Sequence, residues 1–250
     1  EKGVVARWEG RIASLRAGES SPVRNGTERF VGVPRMSALA KHLALNIEVH
    51  CRSRVTSIQR VAQGWRLLRE DGAELGEFDR LVIATPPAQA AALIGEQSPL
   101  GKRVAPIRMR PCWAVLLGLA APYEVPFDGA FCEAAELSWV ARDSSKPGRP
   151  AAEAWVLHAT SEWSEAHLEQ DPEIVKDLLS AELERLTGVP LPQAVHRDAH
   201  HWRFAQPDTV FREGLLLDRE GGLVLAGDAY CGGRVEGAYL SGLAAARCLD

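Results

Sequence analysis

Cysteine is scarce and badly placed for cross-linking. Cys51, Cys112, Cys132, Cys231 and Cys248 are odd in number, widely spread and never arranged as C-x-x-C. That pattern argues against a disulfide framework and a zinc site and fits a reducing cytoplasm. A basic stripe is also missing: 29 Lys and Arg against 33 Asp and Glu leave a net charge of -4 with the signs interspersed, so nucleic acid is not an expected partner. No apolar run reaches bilayer length, and the opening EKGVVARWEG lacks both a basic n-region and an apolar core, so neither a membrane span nor a signal peptide is expected. The opening also lacks a methionine and begins in mid-pattern, which reads as a fragment of a longer product. There is no G-x-S-x-G elbow, so Ser161 and His158 do not read as a nucleophile and its base. Finally, G-x-G-x-x-G occurs nowhere.

The residues that are present, 46% hydrophobic and a quarter charged, suffice for a real core. PRMSALAKHLAL (34–45) puts Pro34 at a first helical position and Met36, Leu39, Ala40 and Leu43 on one face, predicting a short helix followed by NIEVH (46–50) as a strand. Farther on, RVTSIQRVAQ and GWRLLRE lead to Asp71-Gly72, a pair suited to the positive φ of a hairpin turn. RLVIA (80–84), apolar and β-branched, reads as a buried parallel strand ending at Thr85-Pro86-Pro87. RPCWAVLLGLA, AFCEAAELSWVAR and AEAWVLHATSEWS predict an antiparallel sheet with one covered face, packed by Trp139, Trp155, Trp163 and Trp202. Between them RDSSKPGRPAAE (142–153) reads as an exposed, floppy loop. DPEIVKDLLSAELERLTG predicts a helix from an Asp171 cap to a Gly188 stop, with Ile174, Leu178, Leu179, Leu183 and Leu186 facing inward. QAVHRDAHHWRFAQP alternates and ends at Pro207, so it reads as a strand on which His196 and His200 share a face without holding a metal.

The stretch GLVLAGDAYCGGRVEGAYLSGLAAARCL (222–249) carries the chemistry. Leu223 to Ala226 make a short buried strand, Gly227 allows a tight turn, and Asp228 is presented at the strand's carboxyl end, where ligands sit in open α/β sheets. After Gly232 and Gly233, Arg234-Val235-Glu236-Gly237-Ala238 begins a helix whose first N–H groups attract partial negative charge such as a flavin's pyrimidine edge. Ala238, Ser241, Gly242, Ala244 and Ala245 keep that helix thin.

This stretch resembles the C-terminal FAD-binding signature of the flavin amine oxidase superfamily. FVGVPRMSALAKHL, VIATPPAQAAALI, LSWVARDSSKP, WVLHATSEWS and HHWRFAQP are similar to its bacterial renalase-like branch. The resemblance implies FAD, with Asp228 at the ribityl or pyrophosphate region, Arg234 to Ala238 near the isoalloxazine, Val55 meeting the adenine through its backbone, and Ala84, Thr85 and Pro86 along the dinucleotide; Gly227 and Gly233 belong to the same set. Trp139, Arg142, His201, Trp202 and Arg203 are the expected border of a substrate cavity. No side chain is assigned as catalytic, since hydride transfer falls to the flavin.

The implied fold is α/β (α+β): an incomplete Rossmann-like FAD-binding domain over 31–93 and 204–250, lacking the N-terminal βαβ, with a substrate domain on an antiparallel sheet over 1–30 and 94–203. The implied reaction is a cytoplasmic oxidase passing a hydride from a dihydropyridine, an isomeric dihydro-NAD(P), to flavin N5 and then to dioxygen, giving hydrogen peroxide. Oxidation of a small amine is the alternative, and an FAD-free, non-catalytic remnant the second. Without G-x-G-x-x-G, weak or absent FAD binding is expected of these 250 residues alone.

Overall fold

The computed structural model describes residues 3–95, 97–209 and 211–249. Its first elements are β1 (Val5–Arg7), β2 (Ile12–Arg16), β3 (Glu19–Pro22), β4 (Phe30–Gly32) and α1 (Ala38–Leu43). The middle runs through β5 (Val55–Val61), β6 (Gly64–Arg69), β7 (Glu74–Phe78), β8 (Leu81–Ile83), α2 (Pro87–Ile94), α3 (Pro99–Val104) and β9 (Met109–Leu119). The rest comprises β10 (Gly129–Cys132), β11 (Leu137–Arg142), β12 (Glu153–Ala159), α4 (Ser161–Ala166), α5 (Pro172–Thr187), β13 (Ala194–Pro207), β14 (Leu216–Asp218), β15 (Leu223–Leu225) and α6 (Val235–Leu249). The chain divides into two units, Glu1–Val49 with Pro111–Trp202 and His50–Arg110 with Arg203–Asp250, the division falling within β9 and β13.

In the first unit a sheet of order β13-β9-β12-β11-β10-β2-β3 carries the core. The pairings β9–β12, β12–β11, β11–β10 and β2–β3 are antiparallel, and β10–β2 is parallel. The alternation that predicted these strands is visible in β12, where Trp155, Leu157 and Ala159 are buried and their neighbours are half-buried. Helix α5 covers this face with Val175, Leu179, Leu183 and Leu186, all fully buried beside Leu117, Trp155 and Leu157. Asp171 Oδ1 accepts the Glu173 N–H at 2.8 Å, and Gly188, at φ +69, ends the helix as predicted.

The second unit holds two small sheets, β5-β6-β7 and β14-β15-β8. The Asp71-Gly72 turn joins β6 to β7 antiparallel, as its sequence requires. β8 pairs with β15 in parallel, Leu223 opposite Leu81 and Leu225 opposite Ile83, and Leu216, Leu223, Leu225, Ile83, Ala90 and Val104 pack together.

Several expectations are corrected. NIEVH forms no strand: Leu45, Ile47 and Val49 are exposed, and the alternation finds no partner strand among the described residues. On α5, Ile174 and Leu178 face outward while Lys176 and Glu182 are buried, because the inward stripe is rotated and its polar members are satisfied locally. RLVIA is only partly covered, with Val82 exposed. The 142–153 segment is pinned rather than floppy: Asp143–Ser145 form a 3-10 turn, and Arg149 donates to the carbonyls of Gly32 and Pro34. Trp202 is 56% exposed and packs no core, unlike Trp155 and Trp163.

Candidate functional site

The carboxyl ends of β8 and β15 bring the first group of candidates together. Beyond the Leu225–Ile83 pair, the Ala226 N–H still donates to Ile83 O at 3.0 Å, so Ala84–Pro86 and Gly227–Asp228 leave the sheet from the same end. That is the end at which open parallel sheets receive ligands. Gly227 adopts φ +145, a region closed to most side chains, and its N–H donates to the buried Ser241 Oγ at 2.9 Å. Ser241 in turn donates to Gly214 O. Asp228–Tyr230 then form a 3-10 turn closed by bonds from the Cys231 and Gly233 N–H groups to Asp228 O, at 3.0 and 2.8 Å.

Helix α6 starts directly after this turn. Its first internal bond runs from Ala238 N–H to Arg234 O at 2.9 Å, so the amides of Val235, Glu236 and Gly237 precede the ladder. Arg234, Val235 and Glu236 are exposed, Gly237 is buried and Ala238 half-buried. A Cβ on Gly237 would lie 1.9 Å from Cys231 O, so the helix start and the turn approach as closely as backbone allows. Gly237, Ser241 and Ala245 form the buried edge of α6.

Two hydroxyls here are buried without a hydrogen-bond partner among the described residues: Thr85 Oγ1 and Tyr230 Oη. Burial without a partner costs a polar group about 1–3 kcal/mol, which singles both out. Desolvation pushes the Tyr230 phenol up to about 12, so it is a neutral donor at any ordinary pH. The Asp228 carboxylate makes no hydrogen bond or ion pair among the described residues and is only half-buried. An unused acceptor, an orphaned hydroxyl and a free helix start fit a ligand offering both hydroxyl donors and an electron-rich edge, which a flavin dinucleotide does. Val55, half-buried at the start of β5, lies on the other sheet of the same unit.

The substrate-side candidates do not converge. Trp139 and Arg142 lie on β11 and His201 and Trp202 on β13, with β9 and β12 between, a separation of roughly 14 Å, and Arg203 belongs to the second unit. Trp139 packs against Trp8 and Phe131 at ring separations of 6.5 and 4.6 Å. Arg142 is engaged internally: it meets Asp128 at 3.8 Å and Glu153 at 3.4 Å, donates to Tyr123 O at 2.7 Å and lies over Trp155. His201 stacks on Trp113 at 4.6 Å, Trp202 meets His200 edge-on at 4.4 Å, and Arg203 is exposed. Sequence reasoning missed the polar role of Ser241 and the orphaned Tyr230. For Ser241 a signal existed, since a lone hydroxyl on a buried small-residue edge needs a partner.

Comparison with known proteins gives this geometry a context. The family model for flavin containing amine oxidoreductase matches residues 21–250. Among solved structures, a protein of Exiguobacterium sp. 255-15 with the provisional name protoporphyrinogen oxidase superposes with a TM-score of 0.71 at 13% identity, covering 90% of this chain and 53% of that one. A mutant from a redesign of cofactor binding in putrescine oxidase gives 0.62 at 15% identity, covering 89% and 54%. Wild-type putrescine oxidase bound to putrescine gives 0.56 at 14%, covering 88% and 53%. At such identities the likeness is one of fold, and the chain spans about half the length of each structure. Among the described residues no helix is long and apolar enough to cross a membrane.

Proposed function

Since this chain belongs to the flavin containing amine oxidoreductase family, we propose that it acts as an FAD-dependent oxidase of the renalase-like branch, with an isomeric dihydro-NAD(P) as donor. When bound, FAD would supply the two-electron redox chemistry that carries a dihydropyridine's reducing equivalents to dioxygen, giving hydrogen peroxide. The protein's part is to hold, orient and exclude water. Asp228 would accept from cofactor hydroxyls, Thr85 Oγ1 would gain the partner it lacks, and the amides ahead of Ala238 would serve the cofactor's electron-rich edge. Gly237 permits that approach because nothing larger clears Cys231 O. No general base is required of the chain, because the donor's ring nitrogen drives the hydride out.

The observation that carries this reading is the orphaned Thr85 hydroxyl at the same sheet end as the unengaged Asp228. The reading also requires a glycine-rich strand-turn-helix, which these 250 residues do not contain. Weak, saturable quenching of FAD fluorescence by the chain is therefore expected, weakened about tenfold by Asp228→Ala. Equal quenching by the variant would overturn the assignment, as would the absence of any saturable quenching by the chain. Oxidation of a small amine is the second reading, favoured by the fold's likeness to putrescine oxidase. Anaerobic mixing separates the two: bleaching of the flavin by isomeric dihydronicotinamides but not by amines supports the first.

A further inference from the structure

The first unit contains a cleft of about 470 Å³ between the Pro34–Met36 turn and the Gly148–Pro150 loop. Its chemistry is set by one side chain. Arg149 is only 6% exposed, and its Nε donates to Asp143 Oδ2 at 3.1 Å. Its Nη1 faces the carbonyls of Gly32 (2.9 Å), Pro34 (2.6 Å) and Pro147 (3.3 Å). Among the described residues nothing accepts from Nη2, and that atom is not among those sealed from solvent. An arginine held in this way presents its remaining N–H pair in a fixed direction.

The charge balance points the same way. Asp143 also takes Lys146 Nζ at 2.8 Å, and Lys146 is only 12% exposed. One carboxylate thus serves two buried cations, and burial of unbalanced charge is costly unless a counter-charge arrives. The Trp8 ring, 5.6 Å from Lys146 Nζ, softens that excess without cancelling it. The nearby carboxylates of Asp128 and Glu153 are engaged by Arg11 and Arg142. Arg35 adds a further exposed positive charge at the cleft's rim.

We propose that this cleft is an oxyanion site, receiving the carboxylate or phosphate of a small molecule between Arg149 Nη2 and Arg35, with the ligand's apolar body against Pro34, Met36 and Pro150. The site stands on residues of one unit and does not depend on flavin.

The test uses the whole chain with inorganic phosphate and, separately, benzoate, followed by calorimetry and by the Arg149 Nε–H resonance, identified through its loss in Arg149→Lys. At least one probe is expected to bind saturably and shift that resonance, and Arg35→Ala to weaken it about tenfold. Tighter phosphate assigns a phosphate-bearing ligand, tighter benzoate a carboxylate. The proposal is overturned if neither probe binds, if the resonance does not move, or if Arg35→Ala has no larger effect than Arg24→Ala, an exposed arginine outside the cleft. Arg35 is exposed, so its variant folds even if Arg149→Lys does not. Because neither probe needs flavin, a negative result here leaves the flavin reading standing, and a failure of FAD binding leaves this one.

Discussion

The Gly227 turn is held by one hydroxyl. Ser241 is fully buried, accepts the Gly227 N–H and donates to Gly214 O, so a single side chain ties the turn after β15 to the segment before β14. Ser241→Ala strands a half-buried donor and a half-buried acceptor at once and is expected to cost about 1–2 kcal/mol, seen as a lower melting temperature. An unchanged melting temperature would show that the two backbone groups find other partners. The sequence marked Gly227, Asp228 and Gly237 because their residue types are rare solutions to local problems. It left Arg149 in a loop of breakers because its partners, Gly32 and Pro34, lie more than a hundred residues away. Local composition carries no trace of such a bond.

At the scale of elements, α5 was legible from end to end because its signals are local: an aspartate cap, a proline in the first turn, a glycine stop. Each end contributes separately. Asp171→Ala removes the cap to the Glu173 N–H and is expected to cost about 1 kcal/mol. Gly188→Ala forces a side chain to φ +69, and since its Cβ would meet nothing within 4 Å, the cost of about 1 kcal/mol is purely conformational. The ends of this 16-residue helix lie roughly 24 Å apart, so the double variant should lose the sum, about 2 kcal/mol, in denaturant unfolding. A marked departure from additivity would mean that the helix frays as one piece. Its inward face was less legible than its ends. Glu182 is buried because it accepts from the Glu136 N–H and from Arg185, and such pairing overrides the hydropathy count.

For the whole molecule, part of the acid response lies in the first unit, where arginine and lysine partners hold two carboxylates. Arg11, by hydrogen bond, holds Asp128 below its usual carboxylate range. Burial works to raise Asp143, but Lys146 and Arg149 outweigh it and lower it too. Groups whose folded pKa is depressed contribute stability that is fully present above the unfolded value, about pH 4, and lost as pH falls through the folded one. Six of the seven tryptophans lie in this unit, all but Trp65, so tryptophan fluorescence reports it. Thermal melts followed in this way should fall as pH drops below about 4, and fall less steeply in Asp143→Asn, which is already destabilised at neutral pH. Parallel slopes would remove Asp143 from the acid response.

The sequence by itself determined the strands of the antiparallel sheet from β9 to β13, the long helix and its caps, the hairpin at Asp71-Gly72 and the strand-turn-helix at the C-terminus, because each is written in neighbouring residues through period, φ preference and capping. Only the tertiary structure decided that Thr85 and Asp228 leave one sheet end together, that Arg142 is engaged internally, and that NIEVH stays unpaired. Pairing, burial and charge balance depend on which distant segments meet, and no stretch of sequence contains its own partners.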